Sequence, residues 1–330
     1  MSGRRCRIIA AIDANHNGDA DVARRLIDAA REAGADGIKL QKRTVGLAAV
    51  RQVLDRPAAR YAALGPTYRK ALERVDLPVE VLADLCEHAA GLDVLLAPGD
   101  LEAWRQLAPL PFGAVKLDTA LVSHHLVLEA VAASSRQVVA GVAGATRSEL
   151  DDLLRFVPGD LLLMHTLLRS APTVIDVSHL VALRRFGRPV GHADSSLDGA
   201  SSLTAVALGA VMVEKPLTLD RAQAGPDHAA SLTPGELAAL VRAVRALEAV
   251  TASEWLLDAT PEEMDELEWA RPSIVAARAI PRGAEITAAM LTLKPPAWGL
   301  SPRVQPLIVG RRALYDIAED EFLTFGVIEL

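Results

Sequence analysis

Cysteine is nearly absent from this 330-residue chain, which holds only Cys6 and Cys86. Two thiols make neither a disulfide framework nor a cysteine cluster for metal, and no secretory signal opens the chain, so a reducing, cytoplasmic setting is expected. Long apolar runs are also missing. Stretches such as AVALGAVMV are too short to span a bilayer and read as core helix and strand, so no membrane partner is expected. Positive charge is in deficit: 35 Lys and Arg stand against 42 Asp and Glu, for a formal net charge of -7. That balance gives no overall attraction to nucleic acid, although it leaves room for a local anion pocket.

What is present is a large apolar fraction, 51% hydrophobic against 23% charged, which favours a substantial packed core. The length suits one large domain plus a small one. Residues 13–19 read DANHNGD, directly after the apolar run RIIAAI. Such a run, apolar at Ile8, Ile9, Ala10, Ala11 and Ile12, fits a strand covered on both faces, as in a parallel sheet. Asp19 then caps a helix whose Val22, Leu26, Ile27, Ala30 and Ala33 form one apolar stripe, ended by Gly34. The unit is strand, polar loop, helix.

The alternation recurs. Strand candidates are RIIAAID, GIKLQK, DVLLAP, AVKLD, QVVAGV, LLLMHT, PVGHAD and VMVEKPL, mostly separated by helix-like segments. Eight such units occupy roughly 250 residues in a (β/α)8 TIM barrel, which matches the span here; a doubly wound open sheet is the alternative. The expected division is a barrel over residues 1–250, a linker over 251–270, and a compact domain over 271–330, where short β-like pieces alternate with Pro and Gly turns.

Barrel active sites lie at the C-terminal ends of the strands. Those ends carry Asp13, Asn15 and His16, then Lys39 and Gln41, Lys116, Asp118 and Thr119, His165, His192 and Asp194, and finally Glu214 and Lys215.

Three blocks, IIAAIDANHNG with GADGIKLQK, LTLDRAQAGPDHAASLTPGEL, and RPSIVAARAIPRGAEIT, resemble the sialic acid synthases, which make N-acetylneuraminate and related nine-carbon sugar acids. The resemblance covers nearly the whole chain, including a β-rich C-terminal domain similar to type III antifreeze protein (the SAF domain). It implies condensation of phosphoenolpyruvate with the aldehyde form of an amino sugar, assisted by a divalent metal, in a homodimer whose antifreeze-like domains cap the partner's barrel mouth. It also implies that Lys39 and Lys116 hold the anion, that Gln41 belongs to the substrate site, and that Asp227 lies near the sugar; Thr119, at the same strand end as Lys116, is expected to help hold the anion. The plainer reading of Lys39 and Lys116 is pairing with Asp13 or Asp118. Asn15 and His16 read equally as loop scaffolding, and Asp227 as a turn residue.

The chain departs from the family where metal would bind. Ser195 and Pro216 stand at the two ligand histidines, and proline has no side-chain donor. Ala11 replaces a glutamate, Ala193 and Gly141 replace serines, Leu168 and Ser170 replace polar and aromatic contacts, and Pro295 replaces an arginine of the antifreeze-like domain. No metal or other cofactor is therefore expected at the family position. A relocated site using His192 and Asp194, with His165 and His228 approaching, is the alternative, as is a general acid or base role for His192.

These residues point to a divergent carbon–carbon bond-forming enzyme that condenses phosphoenolpyruvate, or a similar phosphorylated anion, with a sugar or other aldehyde. Asp227 and His192 would orient the acceptor or move protons. A non-catalytic anion-binding or scaffold homologue is one rival. A Schiff-base aldolase, which needs a lysine of depressed pKa, is the other.

Overall fold

The computed structural model describes residues 5–166, 176–251 and 259–329, in two units, 1–254 and 255–330. In the first, all eight strand candidates form strands: β1 (Arg7–Ala11), β2 (Gly37–Lys42), β3 (Asp93–Pro98), β4 (Ala114–Leu117), β5 (Gln137–Gly141), β6 (Leu161–Thr166), β7 (Val190–Ala193) and β8 (Met212–Pro216). They pair in parallel, in chain order, and β8 closes on β1. This is the TIM barrel, not the open sheet. No helix among the described residues is long and apolar enough to cross a membrane.

The helix Ala20–Glu32 shows how sequence builds one unit. The Asp19 carboxylate accepts from the N–H groups of Asp21 and Val22, satisfying donors that the first turn leaves free. Ala23, Leu26, Ile27 and Ala30 are buried against the outer face of the sheet. Gly34 ends the helix in the left-handed region at φ 81°. Truncating Ile27, which has no exposure, to Ala would cost about 2–5 kcal/mol.

Period two sorts the strand side chains into two sets. Ile9, Leu95, Val139, Leu162, Met164 and Met212 fill the lumen as one apolar cluster. The same parity, read through the register, turns Lys39, Gln41, Lys116, Thr166, Ala193, Glu214 and Pro216 inward above it. The opposite parity sends Ile38, Leu40, Val115, His165, His192 and Lys215 toward the helices.

In the second unit, the segment placed in the linker is helical over Pro261–Ala270, where Thr260 and Glu263 form a reciprocal cap with proline in the first turn. Beyond it, β9 (Ser273–Ala276) pairs antiparallel with β10 (Leu291–Lys294). Ile274, Ile280, Ile286, Ile308, Ile317, Leu323 and Ile328 form a core of their own.

Candidate active site

The polar loop after β1 is built to be rigid. Gly18 has φ 85°, and a Cβ there would lie 1.8 Å from the Arg74 carbonyl oxygen, so only glycine fits. Asp13 and Asn17 also take left-handed conformations, at φ 42° and 51°, which short polar side chains tolerate best. Asn15 Nδ2 donates to the Leu217 carbonyl and to Ser231 Oγ, each at 2.8 Å, and Asn17 Nδ2 donates to the Ala224 carbonyl at 3.0 Å. His16 Nδ1 accepts from the Gly18 N–H at 2.9 Å, and burial lowers its pKa to about 4. DANHNGD thus stitches the first strand end to the loop after the last strand.

Above the apolar lumen opens a cavity of about 310 Å³. Lys39, Lys116, Asp13 and Glu214 lie deepest in its lining, and Asp118, with its side chain 56% exposed, lies toward solvent. The Lys39 ammonium lies 2.6 Å from Glu214 Oε1 and 3.1 Å from Asp13 Oδ2. Asp13 Oδ1 and Glu214 Oε2 are buried without a hydrogen-bond partner. Burial opposes the charge on Lys39, but Asp13, Glu214 and Asp118 outweigh it and hold the ammonium well above its usual range. Burial raises the Asp13 carboxyl to about 6 against the pull of Lys39. In Glu214 burial acts the same way, but Lys39 and Lys116 prevail and lower it. Of two carboxylates sharing one ammonium, Asp13 is the first to take a proton.

Lys116 is 2% exposed and reaches Asp118 Oδ1 at 3.3 Å. Gly141 on β5 makes room for it, since a Cβ there would come 3.4 Å from Lys116 Nζ. Lys39 and Lys116 therefore line one cavity, each with the carboxylate that the plainer sequence reading gave it.

The rim comes from farther away. Asp227 accepts from Arg60 Nη2 at 2.5 Å, and Gln41 Oε1 accepts from Arg43 Nη2 at 2.7 Å. Arg43, Arg60 and Tyr61 line the cavity and were not singled out in the sequence: Arg43 stands one residue past the end of β2, and Arg60 and Tyr61 lie on a long segment with no recognisable motif. Asn15, Gln41, Asp194 and Asp227 are also in the wall.

Several candidate residues lie elsewhere. His192 has no exposure and faces the helices, with its ring stacked on His165 and the two Nδ1 atoms 3.0 Å apart. Burial lowers its pKa to about 4, so it is neutral and remote from the cavity, unsuited to moving protons there. The parity of β7 decides this: Ala193 turns inward, and His192 cannot. Thr119 Oγ1 accepts from the Ala143 N–H at 3.2 Å and ties two strand ends together without lining the cavity. His16 and His165 also stand outside the lining, as does His228, whose Nδ1 lies 2.7 Å from Thr218 Oγ1. Leu168 and Ser170 lie outside the described residues.

The divalent metal implied by the resemblance does not fit these donors. Ser195 and Pro216 both line the cavity, one with a single hydroxyl and the other with no donor, and Lys39 already sets a cation between the nearest carboxylates. Nor do the histidines assemble a relocated set. His192 Nε2 is 4.0 Å from Asp194 Oδ2, an oxygen already bound by Lys215, Ser201 and Ser202. Among the described residues, no three His, Cys, Asp or Glu side chains are placed to hold a metal ion.

A closed parallel barrel with a polar cavity at the C-terminal ends of its strands defines a TIM-barrel protein. More narrowly, the chain belongs to the NeuB family, which matches residues 26–254, and residues 271–329 match the SAF domain. Human N-acetylneuraminate-9-phosphate synthase is 30% identical over 336 residues, covering 98% of this chain and 93% of the human protein. The N,N'-diacetyllegionaminic acid synthase of Campylobacter jejuni is 27% identical, covering 96% of this chain and 98% of its own. Among solved structures, an N-acetylneuraminic acid synthetase from Leptospira borgpetersenii shares the fold with a TM-score of 0.72 at 24% identity, over 81% of this chain and 91% of that one.

Proposed function

We propose that this chain condenses phosphoenolpyruvate, or a closely related phosphorylated enol, with a sugar or other aldehyde to give a longer 2-keto acid. The observation that carries the reading is Lys39 held between Asp13 and Glu214, with one unpartnered oxygen of each carboxylate, in the mouth of a NeuB-family barrel. The names of the relatives, synthases of sugar acids, support the same class of reaction.

The chemistry needs a proton at two moments. The enol carbon forms a bond to the aldehyde carbon, and the carbonyl oxygen takes a proton from Asp13, whose carboxyl near 6 exchanges protons easily close to neutrality. Water then adds to the resulting cationic carbon and returns a proton to Asp13. The carbon–oxygen bond to phosphate then breaks, the hydroxyl left by the added water gives its proton to the departing phosphate, and the keto group forms. Lys39 and Lys116 stabilise negative charge on the reacting oxygens. Gln41, Asn15 and Asp227 face the acceptor hydroxyls. We place the protein in the cytoplasm as a homodimer; the exposed Leu307, Val309, Leu314, Tyr315 and Phe325 of the C-terminal domain offer an apolar surface for association.

Phosphate release from phosphoenolpyruvate, measured with a panel of sugar aldehydes, tests the reading. Release should require an aldehyde, persist in EDTA, and fall by about 10²–10⁴-fold in Asp13→Asn, the usual contribution of a positioned acid. No release with any aldehyde would defeat the reading. Phosphoenolpyruvate binding without turnover would instead favour the anion-binding homologue, which the loss of donors at Ser195 and Pro216 supports. A Schiff base on Lys39 is disfavoured, since its carboxylates hold the amine protonated.

A further inference from the structure

The cations of the cavity are not equally engaged. Deep in the cavity two lysines face two carboxylates, Lys39 engaged by both Asp13 and Glu214, while Lys116 reaches out to Asp118, whose side chain is 56% exposed. Nearer the rim, Asp227 is taken by Arg60, and Asp118 is held by Lys116 while Arg43 acts on it only from a distance. Among the described residues, Arg43 is the one cavity-lining cation with no carboxylate within 4.0 Å.

Its position is fixed from both sides. Gln41 Oε1 holds one guanidinium nitrogen, leaving the remaining donors of the fork unassigned. The Gly99 N–H donates to the Lys42 carbonyl at 2.7 Å, and a Cβ on Gly99 would come 2.8 Å from the Arg43 Cβ. The chain after β3 therefore passes so close that only glycine leaves Arg43 where it is. Arg43 and Arg60 both act electrostatically on Tyr61, whose phenol lines the same edge of the cavity.

We propose that Arg43 is the oxyanion anchor of this protein: it takes the phosphate or carboxylate group of the ligand at the rim, while the reactive end reaches down to Lys39 and Asp13. The placement deepens the condensation reading and rests on it for what the reactive end is; anion capture itself does not depend on turnover. A planar fork with free N–H groups suits either oxyanion.

Titration calorimetry on the full chain with inorganic phosphate, phosphoenolpyruvate, mannose and mannose 6-phosphate tests this. Arg43→Met should weaken at least one of the phosphorylated ligands by roughly 10- to 100-fold, the range for a charge-assisted hydrogen bond. Arg43→Lys should recover only part of that affinity, since an ammonium lacks the fork. Gly99→Ala, which leaves Arg43 in place chemically but displaces it, should weaken the same ligand, with the thermal midpoint confirming that each variant folds. Loss confined to phosphoenolpyruvate assigns the anion to the enol substrate, and loss confined to mannose 6-phosphate assigns it to the acceptor. Affinities in Arg43→Met within about twofold of wild type for every anion, or no anion binding by the wild type, overturn the anchor. Binding that needs Arg43 without phosphate release under any aldehyde overturns the condensation and keeps the anchor. Turnover with unchanged binding in Arg43→Met does the reverse.

Discussion

Two buried lysines sit at the same end of the barrel, on opposite sides of its wall, and they are treated differently. Lys39 faces the lumen between two carboxylates, each with an oxygen left over. Lys215 faces the helices, where it meets Asp194 at 3.0 Å and the carbonyls of Ser196 and Asp198 at 2.6 and 3.3 Å. Asp194 is itself bound by Ser201, Ser202 and the Ser196 N–H, so nothing of that ion pair is left over. The charge count sets the sign of each shift. Burial wins at Lys215, which has one close carboxylate, and lowers its pKa, whereas the carboxylates win at Lys39 and raise it. The Lys215 pair is satisfied within the fold, whereas the Lys39 pair keeps acceptors with no partner beside the cavity.

The sharpest way to break that contrast is Lys215→Met. Removing the cation leaves Asp194 buried and uncompensated, and stability should fall by about 3–5 kcal/mol in urea unfolding. Lys39→Met should cost less, because its carboxylates can take a proton and border the open cavity. Equal losses would mean that both pairs are structural.

Acid titration separates the two sides by sign. His16 and His192 have folded pKa values of about 4 against 6.5 for the free side chain, so the stability they confer is present above about 6.5 and is lost as pH falls toward 4. Asp13, raised from 3.8 to about 6, acts oppositely: the folded state gains as pH drops through 6. These two histidines outweigh the one carboxyl by about 2 kcal/mol between pH 7 and pH 5, and His165 and His228, also lowered by burial, add to the loss. Unfolding midpoints that do not move across that range would contradict the buried, neutral histidines.

The smallest effect should be a gain. Asp13→Asn removes a carboxylate that is costly to ionise where it stands, and should raise stability by about 1 kcal/mol near pH 8 while activity falls. A loss of stability would show that Asp13 serves the fold more than the site.

Much of the barrel was legible because each strand is a short apolar run ending in polar residues, as in GIKLQK and LLLMHT. Lys39, Gln41 and Lys116 were legible for the same reason, since they stand at strand ends on inward parity. His192 was misjudged by one step of that alternation: Met212, Glu214 and Pro216 turn inward on β8, and on β7 the register pairs Ala193, not His192, with Glu214. Asp13 stood in the opening motif, but nothing local shows that Lys39 and Glu214, 175 residues apart, meet beside it. Arg60 and Tyr61 escaped notice because their place above the cavity depends on how a long loop folds back, whereas Arg43, one residue past β2, was passed over although inward parity continued through Lys39 and Gln41 points to it.

The stitching of DANHNGD to the segment after β8 sets a timetable for the ribosome. Asn15 finds its partner at Leu217 only 202 residues later, and the edge of β1 waits equally long for β8. At about 5–20 residues per second, the first strand stays half-paired for roughly 10–40 s after it emerges. During that interval its run of isoleucines presents an open, sticky edge to every other nascent chain nearby, so the yield of this protein in a cell depends on the rate of elongation and on whatever shields that edge until the ring shuts.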